Sequence, residues 1–256
     1  MSISAQQHTD LYYSGGSIGQ GFTNTTGLGI ESLLGNQTGL STINDFGAII
    51  SSEQRFGLSD LNIISFGMAK RIDEHGVLGL MVGSFGVDAL KQQTVVINYS
   101  RELTEIWDLS IAFDVFRVDA SEFGAINKFS FQLGSLIEIS DELTLGLLIK
   151  NPFSSEIDEN TQYGGVYSAG LTFVLDDKVS FSSQLTKVNG ASLNFQNGLS
   201  YQLHEKLDFK IGFATNPSTV HFGLGLNLSE SFRIDGAFYR HESLGLSPAM
   251  SVSFEK

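Results

Sequence analysis

VSFSSQLTKVNGASLNFQNGLSYQLHEKLDFKIGFATNPSTVHFGLGLNLSE, residues 179–230, reads as four amphipathic strands in succession. In the first, Val179, Phe181, Ser183 and Leu185 share one face and Ser180, Ser182, Gln184 and Thr186 the other, because successive side chains of a strand point to opposite sides. Leu193, Phe195, Leu199, Tyr201 and Leu203 then alternate with Ser192, Asn194, Gln196, Ser200 and Gln202. Leu207, Phe209, Ile211 and Phe213 alternate with Asp208, Lys210 and Gly212, and Val220, Phe222, Leu224, Leu226 and Leu228 with His221, Gly223, Gly225 and Asn227. One face is apolar apart from Ser183 and Asn197. The other is polar or small.

Extended outward in both directions, the same pattern predicts strands at 44–53, 60–72, 76–87, 92–103, 108–119, 127–139, 142–150, 165–175, 178–187, 191–203, 206–214, 219–228, 231–240 and 246–254. That makes roughly fourteen, an even number, each long enough to cross a bilayer when tilted. Every second junction is a tight polar turn, such as Asp73-Glu74-His75-Gly76, Ser140-Asp141-Glu142, His204-Glu205 or Ser229-Glu230. Longer links lie between them, the longest being Asn151 to Gly164. Short turns at one end and longer loops at the other predict an all-β fold: a transmembrane antiparallel up-and-down β-barrel of the outer-membrane kind in a Gram-negative bacterium. A soluble barrel would need the apolar faces turned inward, and fourteen strands enclose more room than such a lining readily fills.

Composition agrees with the barrel. Hydrophobic residues make up 41% of the 256 and charged residues 17%, while no window nears the run of about 18 apolar residues that a spanning helix needs. Glycine (28) far outnumbers proline (3), and Pro152, Pro217 and Pro248 fall in or beside the proposed loops, where a missing ladder donor costs nothing. A net charge of -13 argues against nucleic acid as a partner, and the absence of cysteine excludes disulfides and thiolate metal sites. Residues 1–7, MSISAQQ, read either as the end of a secretory signal or as a disordered start.

Residues 8–41 differ from the barrel region, 42–256. LYYSGGSIGQGFTNTTGLGIESLLGNQTGL (11–40) is rich in glycine and threonine and lacks sustained alternation. A barrel of this size leaves a pore unless something fills it, so this segment is expected to form a hatch inside the lumen, its backbone satisfied by the polar inner face. Ser17-Ile18-Gly19-Gln20-Gly21 followed by Ser32 to Leu40, SLLGNQTGL, resembles the opening of the PorV and PorQ group, relatives of the long-chain fatty-acid transporter FadL. In that group the opening runs S-x-G-M-G-x-A and, further on, a-L-x-x-N-P-A-G-L. Gln37 stands here where the proline is usual. The resemblance implies a fourteen-stranded outer-membrane barrel with a hatch, in which Ser17, Gly19, Gly21, Asn36, Gly39 and Leu40 are hatch residues. It also implies one of two roles. The first is a non-enzymatic component associated with type IX secretion or binding other proteins; the second is a transporter of small hydrophobic molecules such as fatty acids.

Reactive constellations are sparse. Gly15-Gly16-Ser17-Ile18-Gly19 fits the G-x-S-x-G pattern of a nucleophile elbow, but the strand before it and the helix after it that the elbow requires are not evident, so no catalytic residue is expected. Of the five histidines only His221 points into the proposed lumen, with no partner at ligand spacing; neither a metal nor a cofactor is expected. Asp114, Glu138, Lys150, Asp208, Lys210, Arg233 and Asp235 all project from polar faces, and their mixed signs predict an ion-pair network bracing the lumen and holding the hatch. In the longest loop, Phe153, Ile157 and Tyr163 are candidate anchors for a partner protein. Expected partners are outer-membrane lipid, other secretion or outer-membrane proteins, and a hydrophobic small molecule.

Overall fold

In a computed structural model that describes residues 7–8, 12–87, 90–120, 124–153, 155–158 and 161–256, fourteen strands close into one barrel. They are β1 (Phe46–Gln54), β2 (Asn62–Arg71), β3 (Gly76–Val87), β4 (Leu90–Thr104), β5 (Trp107–Ala120), β6 (Gly124–Ser140), β7 (Leu143–Lys150), β8 (Val166–Asp176), β9 (Val179–Val188), β10 (Asn194–His204), β11 (Leu207–Thr215), β12 (Ser218–Asn227), β13 (Phe232–His241) and β14 (Gly245–Glu255). Each pairs antiparallel with its neighbours in sequence, and β14 closes on β1 with Val252 opposite Ile50. Closure removes both sheet edges, as a sheet in hydrocarbon requires.

Every stretch predicted from alternation overlaps one observed strand. The ends differ most in β4 to β6, where pairing runs on to Leu90 opposite Ala120 and to Gly124 opposite Ala120. These hairpins continue beyond β7, whose last residue, Lys150, already pairs with Gln132. Past the lipid-facing band a ladder no longer needs apolar side chains, so periodicity loses sight of it there.

Orientation is decided by burial. Ile50, Phe66, Ile97, Phe113, Phe129, Leu147 and Leu171 are exposed on the outside, while Ser65, Asn98, Ser110, Gln132, Gln184, Gln196 and Lys210 are buried inside. Covering such an apolar side chain fully is worth roughly 1.5–3 kcal/mol, so a barrel girdled by them is stable only where lipid covers it. The soluble alternative, with its apolar interior, is thereby overturned.

The two ends also differ. Tight turns at Glu105-Ile106, Asp141-Glu142, Asp177-Lys178 and Glu205-Lys206 share one end with the start of β1 and the C-terminus, where the Asp45 amide donates to the Lys256 carbonyl at 2.8 Å. The longest connections, 55–61, 151–165 and 189–193, lie opposite, although 216–217 at that end is a two-residue turn rather than a longer link. Pro248 lies in the first residues of β14, beside the loop: here β14 runs past β1, whose pairing starts at Ala249, so proline's missing N–H deprives no partner.

Residues 12–45 occupy the lumen. They wind through a short helix α1 (Gly15–Gly19), capped by Ser14, whose Oγ accepts from the Ser17 amide at 3.0 Å, and through 3₁₀ turns at Gly29–Leu34 and Gln37–Thr42. The path is thus a series of helical turns. Tyr12, Ile30, Leu33, Leu34, Leu40 and Ile43 from this segment meet Ile49, Ile63, Met81 and Val96 of the wall in an apolar core. At the long-loop end, Ser155–Asp158 and Thr161–Tyr163 pair antiparallel, and Gln7–His8 lies parallel to the latter. Residues 1–6 of the proposed signal remnant lie outside the described residues.

Candidate functional site

Glycines on the inner wall seat the hatch. A Cβ at Gly212 would strike the amide of Gly21, one at Gly198 would lie 2.5 Å from the Gln20 carbonyl oxygen, and one at Gly146 would strike the Thr25 carbonyl. Within α1, a Cβ at Gly19 would stand 2.9 Å from Gly223 Cα. Hatch backbone therefore runs against wall backbone, which only glycine permits.

The motif residues are spread along this seat. Ser17 shares a 3.0 Å hydrogen bond with Ser14, and Gly21 takes the left-handed conformation (φ 72) that its contact with Gly212 demands. The Asn36 amide donates to the carbonyls of Thr25 (2.8 Å), Ser135 (3.2 Å) and Leu147 (3.2 Å), while its oxygen accepts from the Thr38 hydroxyl at 2.9 Å. It staples two hatch segments to β6 and β7. A Cβ at Gly39 would collide with the Gly27 carbonyl, and Leu40 is fully buried in the apolar core. Gln37, where the PorV and PorQ group has proline, donates to Gln132 Oε1 at 3.2 Å, and Gln132 donates to Asp114 Oδ1 at 2.6 Å. Proline could not make this link.

Four of the seven lumenal charges come together. Lys210 Nζ lies 2.6 Å from Asp235 and 3.2 Å from Asp208, and Arg233 reaches Asp208 at 2.6 Å and Asp235 at 2.7 Å. A fifth member comes from the hatch: Glu31, which accepts a 2.6 Å bond from the Ser14 hydroxyl and lies 3.8 Å from Arg233. Glu31 escaped the sequence reading because it sits in a segment without periodicity. Its carboxylate and the Lys210 ammonium both press on Gly16, where a Cβ would stand 2.6 Å and 3.1 Å from them. Across the barrel, Asp114 bonds Gln132 and Lys150 stands opposite Gln132 in register, both buried. Glu138 is not in the cluster. β6 carries it to the tight-turn rim, where it is exposed and lines the mouth with Asp108, Glu102 and Thr144.

His221 is buried and structural in its bonding. Nδ1 donates to the Ile18 carbonyl at 2.7 Å, which leaves Nε2 to accept from the Thr219 hydroxyl at 2.8 Å. Among the described residues no group of three or more His, Asp or Glu is placed to hold a metal ion. Phe153 is 82% exposed beside β6; the side chains of Ile157 and Tyr163 lie outside the described residues.

Open space lies mainly at the tight-turn mouth. Hollows of about 640 and 480 Å³ surround the exposed Leu28, the second reaching the charge cluster at Glu31, and a third of about 320 Å³ reaches the cluster at Lys210. Higher up, a void of about 10 Å³ between Tyr13, Asn24, Leu34 and Lys150 is too small for a ligand. On the lipid-facing wall an apolar groove of about 390 Å³ runs between Leu147, Ile149, Tyr167, Leu185 and Leu193.

Neither a protein-family model nor a curated protein matches this sequence. Solved structures do. A FadL homologue of Pseudomonas aeruginosa superposes with a TM-score of 0.73 over 95% of this chain and 98% of its own, at 9% identity. The toluene transporter TbuX of Ralstonia pickettii gives 0.70 over 96% and 99%, at 10% identity. The toluene transporter TodX of P. putida gives 0.71 over 96% and 99%, at 11% identity. At such identities the likeness is one of architecture, and it covers hatch and barrel together: the chain has the fold of the FadL-type outer-membrane barrels.

Proposed function

We propose that this barrel admits small hydrophobic molecules across the outer membrane by displacement of its hatch. The observation that carries the reading is the hatch itself, a segment seated on glycines and tethered by side chains inside a fold shared with solved transporters along nearly the whole chain. A route through the wall is disfavoured, because every described neighbouring pair of strands is hydrogen-bonded and the ladder is closed. A hydrophobic solute entering from the long-loop end has to move residues 12–45, and the hollows at the tight-turn mouth receive it on the other side.

The chain has no cysteine, so an engineered disulfide tests this directly. Thr26 and Thr172 Oγ1 atoms lie 2.6 Å apart, joining hatch to β8. Thr26→Cys with Thr172→Cys should abolish entry of N-phenyl-1-naphthylamine into Gram-negative cells expressing the protein, and a reductant should restore it. Entry unaffected by the oxidised lock would refute hatch displacement, and entry no greater than in cells lacking the protein would refute transport.

A second reading, a secretion-associated or protein-binding barrel, follows from the PorV and PorQ resemblance and is favoured by one observation, the exposed Phe153 at the head of the longest loop. Replacing residues 152–164 by a short glycine-serine link would then remove co-purifying protein while leaving dye entry intact. Co-purification that survives the replacement counts against this reading.

A further inference from the structure

Near the long-loop end of the lumen, the phenyl ring of Phe22 sits among three other rings. Its centroid is 4.7 Å from Tyr13, 4.6 Å from His221 and 5.1 Å from Tyr239, the last two edge-on. His221 and Tyr239 are themselves stacked at 5.2 Å, with Ile18, Ala237 and Ala249 packed around them.

Two of the three surrounding rings are fixed in place by side-chain bonds. His221 is held by bonds from both nitrogens, to Thr219 and to Ile18. The Tyr239 hydroxyl donates at 2.8 Å to Glu53, whose carboxylate is paired with Arg55 at 3.2 Å. Tyr13 is tied through its backbone, its carbonyl accepting from Ser51 Oγ at 2.8 Å. The ring in the middle is held unlike those of His221 and Tyr239. Phe22 has φ 66, a left-handed conformation that costs a bulky residue strain, and follows Gly21, which is also left-handed. Apart from its ring contacts, Phe22 is tied through backbone bonds, its amide donating to the Ser17 carbonyl at 2.8 Å and its carbonyl accepting from Gln196 at 3.5 Å. A rigid frame thus encloses a strained occupant of ring shape.

We infer that Tyr13, His221 and Tyr239 form a binding subsite for a planar single-ring solute, which Phe22 fills until such a solute displaces it. This rests on the transport reading and narrows its substrate class. Ring edges and faces meet in the geometry that aromatic pairs prefer, and a flexible alkyl chain offers no such complement. Displacement moves Phe22 and its strained turn together, so solute binding is coupled to loosening of the hatch where Gly21 seats on Gly212. A linear alkane would leave Phe22 where it is.

Toluene and n-octane are the probes, compared on detergent-purified full-length protein. Trp107 is the one native tryptophan, so Phe22→Trp in a Trp107→Phe background reports on the subsite alone. Toluene should shift its emission saturably to the red, n-octane at equal activity should not, and adding Tyr239→Leu should weaken the toluene response at least tenfold. In the unaltered protein, toluene should speed hydrogen exchange of the Phe22 amide at least tenfold, a readout that needs no mutation. Equal responses to both probes, no response to toluene in either measurement, or indifference to Tyr239→Leu would overturn the inference. Cellular uptake of labelled toluene separates the two claims. Uptake without a subsite response sinks the subsite and leaves transport standing, whereas a subsite response without uptake sinks transport and leaves the subsite.

Discussion

Replacing Lys210 by methionine should free the hatch without opening the barrel. The Lys210 ammonium is 8% exposed and sits 2.6 Å from Asp235 and 3.2 Å from Asp208, with Asp235 itself only 2% exposed. Lys210→Met keeps the apolar stem and removes the charge, leaving Arg233 as the one cation among Asp208, Asp235 and Glu31. Breaking a buried pair from one side costs about 3–5 kcal/mol, because the partner is stranded. An exposed bridge such as Lys70–Asp45, whose side chains are 63% and 52% exposed, contributes roughly 0–1 kcal/mol. At about 1.4 kcal/mol per tenfold, Lys210→Met should accelerate hydrogen exchange across residues 14–31 by roughly a hundredfold or more, and Lys70→Met should barely change it. Adding Asp235→Asn to Lys210→Met should recover part of the loss, since it removes the stranded carboxylate. The effect should be confined to the hatch, because Lys210 flanks Gly16 and Gly19 while the ladder bonds of β11 are made by backbone. Faster exchange in β11 and β13 with an unchanged hatch would refute the reasoning, as it would mean that the cluster braces the wall and holds nothing inside it.

Gly212→Ala should cost about 1–3 kcal/mol through overpacking, because its Cβ has no space beside Gly21, whereas Gly236→Ala meets nothing within 4 Å and should be neutral; urea unfolding of the two variants in detergent compares them. Burial, and after it the charge of Asp235, raises the Glu31 carboxyl above its ordinary 4.5. Its contribution to holding the hatch is therefore present below that value and is lost as pH rises through the raised one, so hatch protection should fall with rising pH and Glu31→Gln should flatten the dependence, read by hydrogen exchange at a series of pH values. Phe113→Arg places a cation on the lipid-facing wall and should cost up to about 2–4 kcal/mol if Phe113 lies near the bilayer midplane, measured by folding into lipid vesicles; an unchanged folding free energy would contradict the outward orientation of this face.

The alternation of residues 179–230 and its repetition carried most of the architecture. Strand number, the place of each strand and the tight turns were legible because each is a local property: a period of two along the chain, or a polar turn a few residues long. Where local signals lapsed, so did the reading. The ladder of β4 to β6 outran its apolar band, and Glu138, on the same face as Asp114's neighbours, was carried by β6 to the rim. The hatch residues Glu31 and Phe22 gave no sequence signal. Asn36 did, through the motif, yet not the three carbonyls it binds.

By itself the sequence determined that fourteen amphipathic strands must close on one another and that something must fill the space within, since period and polarity are written into each strand. Alternation alone is symmetric between the two faces; that the apolar one meets lipid followed from the strand number, since fourteen strands enclose more room than an apolar lining fills, and burial in the closed barrel agrees. What the sequence could not do was join Glu31 to Arg233, Gly15 to Ser251, or Phe22 to His221 and Tyr239. Those contacts span up to 236 positions and depend on the register at which the barrel closes around a segment with no period of its own.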